Sequence, residues 1–247
     1  MRLLLVSGDA KFNMALDEAL LELISSGRSE PTVRFYRFSP TAVTIGYFQS
    51  IRKTVNLQKA TSLGIDVVRR PTGGGAVLHD EKGELTYSVV VPEISGEEVV
   101  ESFRRICLGV ILTLKELGLE ASFVPVNDVV VSGRKISGSA QTRRGGFILQ
   151  HGTILYNADL DLMQEVLTPP TEKLLEKGVS SIRERVTTVS EQLGRDVSFD
   201  EVLDAAIKGF SRALGEKLIP SDPTEDELIL ASELERKYGS KEWNEMR

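Results

Sequence analysis

The chain has 247 residues, of which 41% are apolar, and carries a net charge of −6 at pH 7 with an isoelectric point near 5.2. This length and composition are sufficient for a sizeable core in one large domain or two small ones. The acidic balance argues against a broad nucleic-acid surface, because binding to a phosphate backbone depends mainly on clustered Lys and Arg. A single cysteine excludes an intramolecular disulfide, and only two histidines argue against a zinc site.

The N-terminal apolar run is short. It covers residues 3–6 and ends at Ser7, so it lacks the length of a signal-peptide core. An apolar stretch of about 18 residues, which a membrane span needs, occurs nowhere in the sequence. We therefore expect a cytoplasmic protein that binds neither a membrane nor nucleic acid.

The N-terminal quarter predicts strands and helices in alternation. A short strand covers residues 3–7, and apolar positions recur at helical spacing from Asn13 until Gly27. Alternating residues then predict two strands, at 33–37 and 42–45. A short helix is expected over 57–63.

Strands dominate the middle of the chain and helices its end. A β-branched run predicts a strand at 85–91, and a long periodic segment predicts a helix over 97–117 that buries Cys107 as a small hydrophobe. Further strands are expected at 122–124, 128–131, 135–140 and 146–156, and helices at 160–166, 188–193, 199–214 and 225–238. The pattern indicates an α+β fold in one domain over residues 1–247, with a mainly helical part from about residue 159.

The most distinctive segment covers residues 69–80. Arg69 and Arg70 end an apolar run, three glycines follow at 73–75, and the segment closes on His79 and Asp80. Glycines let backbone N–H groups approach an anionic or carbonyl-bearing ligand, and arginine supplies a fork of donors for phosphate or carboxylate. A bare glycine triplet would more often be a flexible hairpin, but the flanking charged residues favour a ligand site.

A second polar group lies in β-rich sequence. Lys135 and Ser137 share one strand face, which Ser139 and Gln141 continue, because side chains alternate with period two. A polar face on an inner strand is costly unless it lines a pocket. Lys135 could equally be a solvated surface lysine, but the neighbouring Gly138 permits close backbone approach.

Taken together, these segments resemble the lipoate–protein ligase A and octanoyltransferase superfamily. The resemblance extends across nearly the whole chain and rests on residues 34–37, 46–49, 69–80, 84–89, 127–128, 133–140 and 151–155. It implies a biotinyl/lipoyl-protein ligase catalytic fold, with mixed, largely antiparallel sheets flanked by helices. In that fold the glycine loop would wrap an acyl-adenylate, and the Lys135 ammonium would hold its carbonyl and phosphate oxygens.

The resemblance implies Lys135 as the catalytic residue. The substrate- and ATP-binding residues that it implies are Arg69, Arg70, Gly73, Gly74, Gly75, Ala76, His79, Asn127, Asp128, Gly138, Ala140 and His151. Asp128 would also hold Mg²⁺ or orient the incoming amine.

The superfamily divides into two chemistries. Ligases activate lipoate with MgATP, whereas octanoyltransferases form a thioester on a cysteine. Residues 138–143 and 149–153 resemble the octanoyltransferases, but the segment 124–128, where that class carries its cysteine, has no thiol here. We therefore predict an ATP-dependent lipoate–protein ligase whose cofactors are ATP, lipoate and Mg²⁺ and whose acceptors are lipoyl carrier domains.

Two alternatives stay open: an octanoyl-carrier-protein octanoyltransferase, and a non-catalytic lipoate-binding protein. Many ligases of this superfamily continue into an accessory domain, for which this chain has no sequence. We therefore also expect a separate accessory protein to be needed for adenylation.

Overall fold

Eleven strands and ten helices occur in residues 1–168 and 181–247, which the computed structural model describes. The strands are β1 (Arg2–Leu4), β2 (Thr32–Tyr36), β3 (Ala42–Ile45), β4 (Asp66–Arg69), β5 (Val77–His79), β6 (Glu84–Pro92), β7 (Ala121–Val124), β8 (Asp128–Val131), β9 (Arg134–Arg144), β10 (Phe147–Leu155) and β11 (Ile219–Pro220). The helices are α1 (Ala10–Ser25), α2 (Ile51–Thr54), α3 (Leu57–Ser62), α4 (Val99–Glu116), α5 (Leu160–Val166), α6 (Ile182–Arg185), α7 (Val189–Leu193), α8 (Phe199–Leu214), α9 (Glu225–Tyr238) and α10 (Lys241–Asn244).

The strands form two sheets. The large one has the order β11-β1-β2-β6-β10-β9-β8-β7, and the small one has the order β4-β3-β5. The large sheet is antiparallel except that β1 runs parallel to both of its neighbours, and β3 runs parallel to β4. The predicted α+β class with mixed, largely antiparallel sheets is confirmed.

Helices cover both faces of the large sheet. Side chains of α4 and α8 pack with one face of β2, β6 and β10, and side chains of α1 and α9 pack with the other. A third apolar cluster joins the small sheet to α3 and α5. No helix in the described ranges is long and apolar enough to cross a bilayer.

The boundaries of the predicted elements shift where side chains cap the helices. Helix α1 begins at Ala10, earlier than predicted, because the Asp9 carboxylate accepts the Phe12 N–H at 2.9 Å. Helices α2, α6 and α10 were not predicted, since four residues are too few to show a helical period. Residues 169–180, within the part predicted to be mainly helical, lie outside the described ranges.

Two glycines bring α4 and α8 into backbone contact. A Cβ on Gly209 would lie 2.5 Å from the Thr113 nitrogen, and one on Gly109 would lie 2.7 Å from the Phe210 ring. Neither position therefore has room for a side chain, and the two helices form the layer that covers β6 and β10.

We expect Gly209→Ala to destabilise the fold by about 1–3 kcal/mol, because the added methyl group must displace backbone rather than a flexible side chain. Lys208→Ala on the exposed side of the same helix is the matched control and should change the free energy of unfolding by less than about 0.5 kcal/mol. Urea denaturation measures both. Equal free energies of unfolding in the two variants would show that α4 and α8 can move apart at Gly209 without loss of stability.

Candidate active site

A cavity of about 340 Å³ lies between the small sheet and strands β9 and β10. This volume is within the usual range for small-molecule sites. Its walls include side chains of α1, β3, β5, β9 and β10, together with the glycine segment between β4 and β5. The predicted site residues that line it are Arg70, Gly74, Gly75, Ala76, His79, Asn127, Asp128, Lys135, Gly138, Ala140 and His151.

Much of the cavity lining is apolar. The aliphatic and thioether side chains are contributed by Met14, Val77, Leu78, Leu155, Met163, Leu167, Ile182 and Val186. Such a surface suits a flexible hydrocarbon chain, because each methylene removed from water gains about 0.8 kcal/mol.

The glycine segment is not a hairpin turn. Strands β4 and β5 both pair with β3 and not with each other, so residues 70–76 cross from one edge of β3 to the other. Gly74 has a φ of +91°, and a Cβ on Gly46 would collide with the Gly74 carbonyl. The close packing of these two backbones requires glycine at both positions.

Lys135 and Asp128 form an ion pair in the cavity wall. The Lys135 ammonium lies 2.6 Å from Asp128 Oδ1, and Arg185 Nη2 lies 3.2 Å from Oδ2 of the same carboxylate. A Cβ on Gly138 would come 2.5 Å from the Lys135 ammonium, so glycine leaves the space that the amine occupies. The pairing of β9 with β8 shifts register at Ile136, immediately after Lys135.

The four side chains predicted to form one polar face of β9 do not all line the cavity. Ser139 Oγ lies 3.1 Å from the Asn127 carbonyl oxygen, and the Gln141 amide donates to Gln150 at 2.7 Å beneath α4. The register shift at Ile136 interrupts the alternation on which the prediction rests. Lys135 therefore enters the cavity without Gln141.

Asp128 is not part of a metal cluster. Its two oxygens are occupied by Lys135 and Arg185, and no group of three or more His, Cys, Asp or Glu side chains in the described ranges could hold a metal ion. The prediction of Mg²⁺ at Asp128 is corrected on this ground: the carboxylate is already neutralised by two cations.

Arg69 points away from the cavity. Its guanidinium donates to the carbonyls of Gly46, Tyr47 and Gln49 at 2.6–3.1 Å, and to those of Trp243 and Asn244 at 3.0 and 2.9 Å. The predicted ligand-binding role of Arg69 is therefore replaced by a structural one: it ties α10 to the turn after β3. Gly73 likewise lies outside the cavity lining, although its carbonyl accepts from Arg70.

Arg70 is buried in the cavity wall, with only 4% of its surface exposed. Its donors reach Thr72 Oγ1 at 3.0 Å, the Gly73 carbonyl at 2.5 Å and Thr44 Oγ1 at 3.3 Å. Among the described residues no carboxylate pairs with it, and burial lowers its pKa to about 10. The guanidinium nevertheless stays charged at neutral pH.

Both histidines line the cavity, but each uses both ring nitrogens within the protein. His151 Nδ1 lies 3.1 Å from Asp17 Oδ2, and its Nε2 lies 2.7 Å from Thr72 Oγ1. His79 Nδ1 lies 2.7 Å from Glu84 Oε1, and its Nε2 lies 2.8 Å from Thr44 Oγ1. Neither ring has a free nitrogen for a ligand.

Asp17 is the buried acid that sequence reasoning missed. Fully buried on α1, it accepts hydrogen bonds from Arg34, Tyr36 and Ser88 at 2.8–2.9 Å, in addition to its contact with His151. Burial alone would raise its pKa, but the hydrogen bond with His151, the charge of Arg34 and the hydrogen bond from Ser88 hold the pKa below its usual value. Its position in an apolar helical stripe, one turn after Asn13, was the available signal.

Cys107 lies behind the cavity. It is completely buried in α4, where its sulfur contacts Ser139 Oγ at 3.4 Å and Gln150 Nε2 at 3.5 Å. Burial raises the pKa of the thiol, which disfavours the nucleophilic thiolate.

A family model described as the lipoyl protein ligase A/B catalytic domain matches residues 9–211, which include the glycine segment, Lys135 and both histidines. The chain belongs to this family. A solved bi-partite lipoate protein ligase from Thermoplasma acidophilum, described with its E2 lipoyl domain, is 40% identical. It superposes with a TM-score of 0.87 over 98% of this chain and 95% of that one, so members of the family share this fold.

Several curated relatives of this chain are named octanoyltransferase. Octanoyltransferase LipM of Brevibacillus brevis is 41% identical over 259 aligned positions, covering 94% of this chain and 93% of the relative. Octanoyltransferase LipM of Bacillus subtilis is 38% identical, with 96% and 95% covered. Others of the same name match at 37% to 40% identity.

These relatives overturn the prediction of an ATP-dependent lipoate–protein ligase with ATP, lipoate and Mg²⁺ as cofactors. The prediction is wrong, and its basis was the absence of a thiol in residues 124–128. The segments 138–143 and 149–153, which resemble octanoyltransferases, are the better guide.

The environment of His151 predicts a pH-dependent stability. Burial lowers its pKa, and Arg70 and His79 act in the same direction, while Asp17 opposes them. An unfolded histidine titrates near 6.5, so this contribution to stability is complete above about pH 6.5 and is lost as the pH falls towards the folded value.

We therefore expect the free energy of unfolding to fall below about pH 6.5 by up to ~1.4 kcal/mol per pH unit from this one proton. His151→Gln should lose that part of the slope while His79 and Asp17 stay in place. Urea denaturation across the pH range measures it. If the free energy of unfolding varied with pH equally in the wild type and in His151→Gln, His151 would have to be protonated in the folded protein.

Proposed function

We propose that this chain is an octanoyltransferase that moves an octanoyl group from the thioester of a carrier protein to a lysine of a lipoyl domain. The names of the curated relatives, which align over at least 94% of the chain, support the reaction type. The lipoyl domain described with the T. acidophilum ligase supports the class of acceptor.

The observation that carries the proposal is the Lys135 ammonium in a largely apolar cavity. The hydrocarbon chain of the donor would occupy the apolar lining, and its carbonyl oxygen would accept a hydrogen bond from Lys135. A fixed cation at this oxygen stabilises the negative charge that develops when a nucleophile attacks the carbonyl. The backbone of Gly74 and Gly75 can approach the acyl group closely, because neither has a Cβ.

The proposed transfer is a nucleophilic acyl substitution. The neutral amine of the acceptor lysine attacks the thioester carbonyl, and a C–N bond forms as the oxyanion develops beside Lys135. The oxyanion then collapses, the C–S bond breaks, and the thiolate leaves and takes up the proton that the amine loses. Asp128 and Asn127, which line the same cavity, would orient the incoming amine.

The proposed transfer forms no covalent acyl intermediate on this chain. Its one cysteine, Cys107, is fully buried under α4 and has a raised pKa. The acceptor amine therefore attacks the donor thioester directly.

The remaining assignments follow from cavity lining. Lys135 is the proposed catalytic residue, and the proposed substrate-contacting residues are Arg70, Gly74, Gly75, Ala76, Asn127, Asp128, Gly138 and Ala140. The separate accessory protein stays a prediction, and a direct acyl transfer does not require one. Cytoplasmic location is part of the proposal, because both protein substrates would have to meet the chain there.

Intact-protein mass spectrometry tests the function. The purified chain is incubated with an octanoyl-loaded carrier protein and an apo lipoyl domain, in one arm with added ATP and in the other with apyrase to remove nucleotide. We expect the acceptor to gain one octanoyl group at equal rates in both arms, and an acceptor whose target lysine is replaced by arginine to gain none. Transfer only in the ATP arm, or binding without transfer, would contradict the proposal.

We expect Lys135→Ala to lower the transfer rate by about 10²–10³, the usual effect of removing one preorganised oxyanion donor. Its stability should change little, because Lys135 and Asp128 form a partly exposed pair that contributes little to folding. Lys135→Arg should recover only part of the rate, since the planar fork is larger than the space beside Gly138.

Lys115→Ala, an exposed change on α4, controls for loss of positive charge and should leave the rate unchanged. Thermal unfolding of all three variants separates loss of chemistry from loss of fold. A Lys135→Ala rate near that of the wild type would remove Lys135 from the catalytic role.

A further inference from the structure

Both histidines of the chain stand in the same hydrogen-bond pattern, and both patterns end on Arg70. On one side the order is Asp17, His151, Thr72, Arg70, with contacts of 3.1, 2.7 and 3.0 Å. On the other side the order is Glu84, His79, Thr44, Arg70, with contacts of 2.7, 2.8 and 3.3 Å. We call these the Asp17 relay and the Glu84 relay.

Chemistry fixes the direction of the hydrogen bonds at the two ends of each relay. Arginine can only donate, and an ionised carboxylate can only accept. Each imidazole therefore donates from Nδ1 to its carboxylate, and Nε2 is an acceptor when the ring is neutral, the form that burial favours for His151. With a neutral ring the threonine hydroxyl donates its proton to Nε2, and its oxygen accepts the hydrogen bond from Arg70.

The relays connect the two sheets. Asp17 on α1 and Glu84 on β6 belong to the large-sheet layer, whereas Arg70 follows β4 in the small sheet. Arg70 in turn donates to the Gly73 carbonyl at 2.5 Å, so its position fixes the start of the glycine segment. Both sides of the cavity thus determine where the guanidinium lies.

The relays orient Arg70, which makes no ion pair within residues 1–168 and 181–247. Lys135 differs in this respect, because a carboxylate oxygen of Asp128 lies 2.6 Å from its ammonium. Here a hydroxyl and an imidazole separate the guanidinium from each acid. In a buried wall, where charges are weakly screened, the field of such a cation stays available to a carbonyl oxygen or an anion in the cavity.

We infer that the two relays hold Arg70 in place as an unneutralised cation for the acyl donor. Their positioning residues are Asp17, His151 and Thr72 on one side and Glu84, His79 and Thr44 on the other. The histidines accordingly have no role as general acid or base. This inference rests on the proposed function for the identity of the ligand, but the relays themselves do not depend on it.

Kinetics of matched threonine variants test the inference. Thr72→Val removes the hydroxyl and keeps the shape, while Thr72→Ser keeps the hydroxyl, and the same pair is made at Thr44. We expect Thr72→Val to raise the KM for the octanoyl-carrier donor about tenfold, the usual effect of losing a hydrogen bond to a charged group, with kcat changed less than about twofold. Thr44→Val should have the smaller effect, because its contact with Arg70 is longer.

The serine variants should stay within about twofold of wild-type KM, since they keep the donor and acceptor. Thr113→Val is the control, because it removes a buried threonine hydroxyl that bonds only within α4. Thermal unfolding checks that each variant folds. An unchanged KM in both valine variants, or serine variants as impaired as the valine ones, would overturn the inference.

Imidazole ¹⁵N NMR tests the relays without any substrate. The spectrum is simple, because the chain has only two histidines. We expect His151 to be neutral at pH 7 with its proton on Nδ1, His79 to carry a proton on Nδ1, and Thr72→Val to shift the Nε2 resonance of His151 while Thr113→Val shifts neither ring. A proton on Nε2 of either ring would overturn the corresponding relay. If the wild type fails to transfer octanoyl groups, the proposed function fails, while this measurement still decides the relays.

Discussion

The burial of Arg70, which has no adjacent carboxylate among the described residues, is the constraint around which the cavity is built. A guanidinium that leaves water needs its donors satisfied, and Arg70 donates to two threonine hydroxyls and to the carbonyls of Gly73 and Thr44. Each hydroxyl oxygen accepts from Arg70, and the same hydroxyl lies within hydrogen-bond distance of a histidine Nε2. The histidines in turn need buried acids behind them, so the polar residues of α1, β6 and β10 depend on one another.

The large sheet separates two kinds of chemistry. On the side of α1 lie the charged groups: Asp17 with Arg34 and His151, and the cavity beyond them. On the side of α4 lies a neutral layer in which Gln150 bonds to Tyr87 and contacts the sulfur of Cys107. Gly152 packs closely against this neutral layer, because a Cβ there would lie 2.7 Å from the Tyr87 hydroxyl. The thiol therefore belongs to the packed layer under the sheet, and the reactive cations belong to the open side.

Features of the site that depend on neighbouring residues could be predicted from the sequence, whereas contacts between residues far apart in the chain could not. Periodicity predicts α4 and β10, and adjacent glycines with charged neighbours predict the segment from Arg70 to Ala76. The relays could not be predicted, because Asp17 and His151 are 134 positions apart and are joined only by packing of α1 on β10. Arg69 is indistinguishable from Arg70 in sequence, yet consecutive side chains on a strand point to opposite faces, and only one of them enters the cavity. Four-residue helices such as α6, which supplies Arg185, leave no periodic signal.

The central claim is that octanoyl transfer occurs directly between two bound partners in the cavity beside Lys135 and Arg70. A single-turnover quench experiment tests it most directly: stoichiometric chain, octanoyl-loaded carrier and apo lipoyl domain are mixed without nucleotide, and the masses of all three proteins are followed. We expect the acceptor to gain the octanoyl group as the donor loses it, while the mass of this chain stays constant at every time point. An octanoyl adduct on Cys107 that forms and decays at the rate of turnover would contradict it.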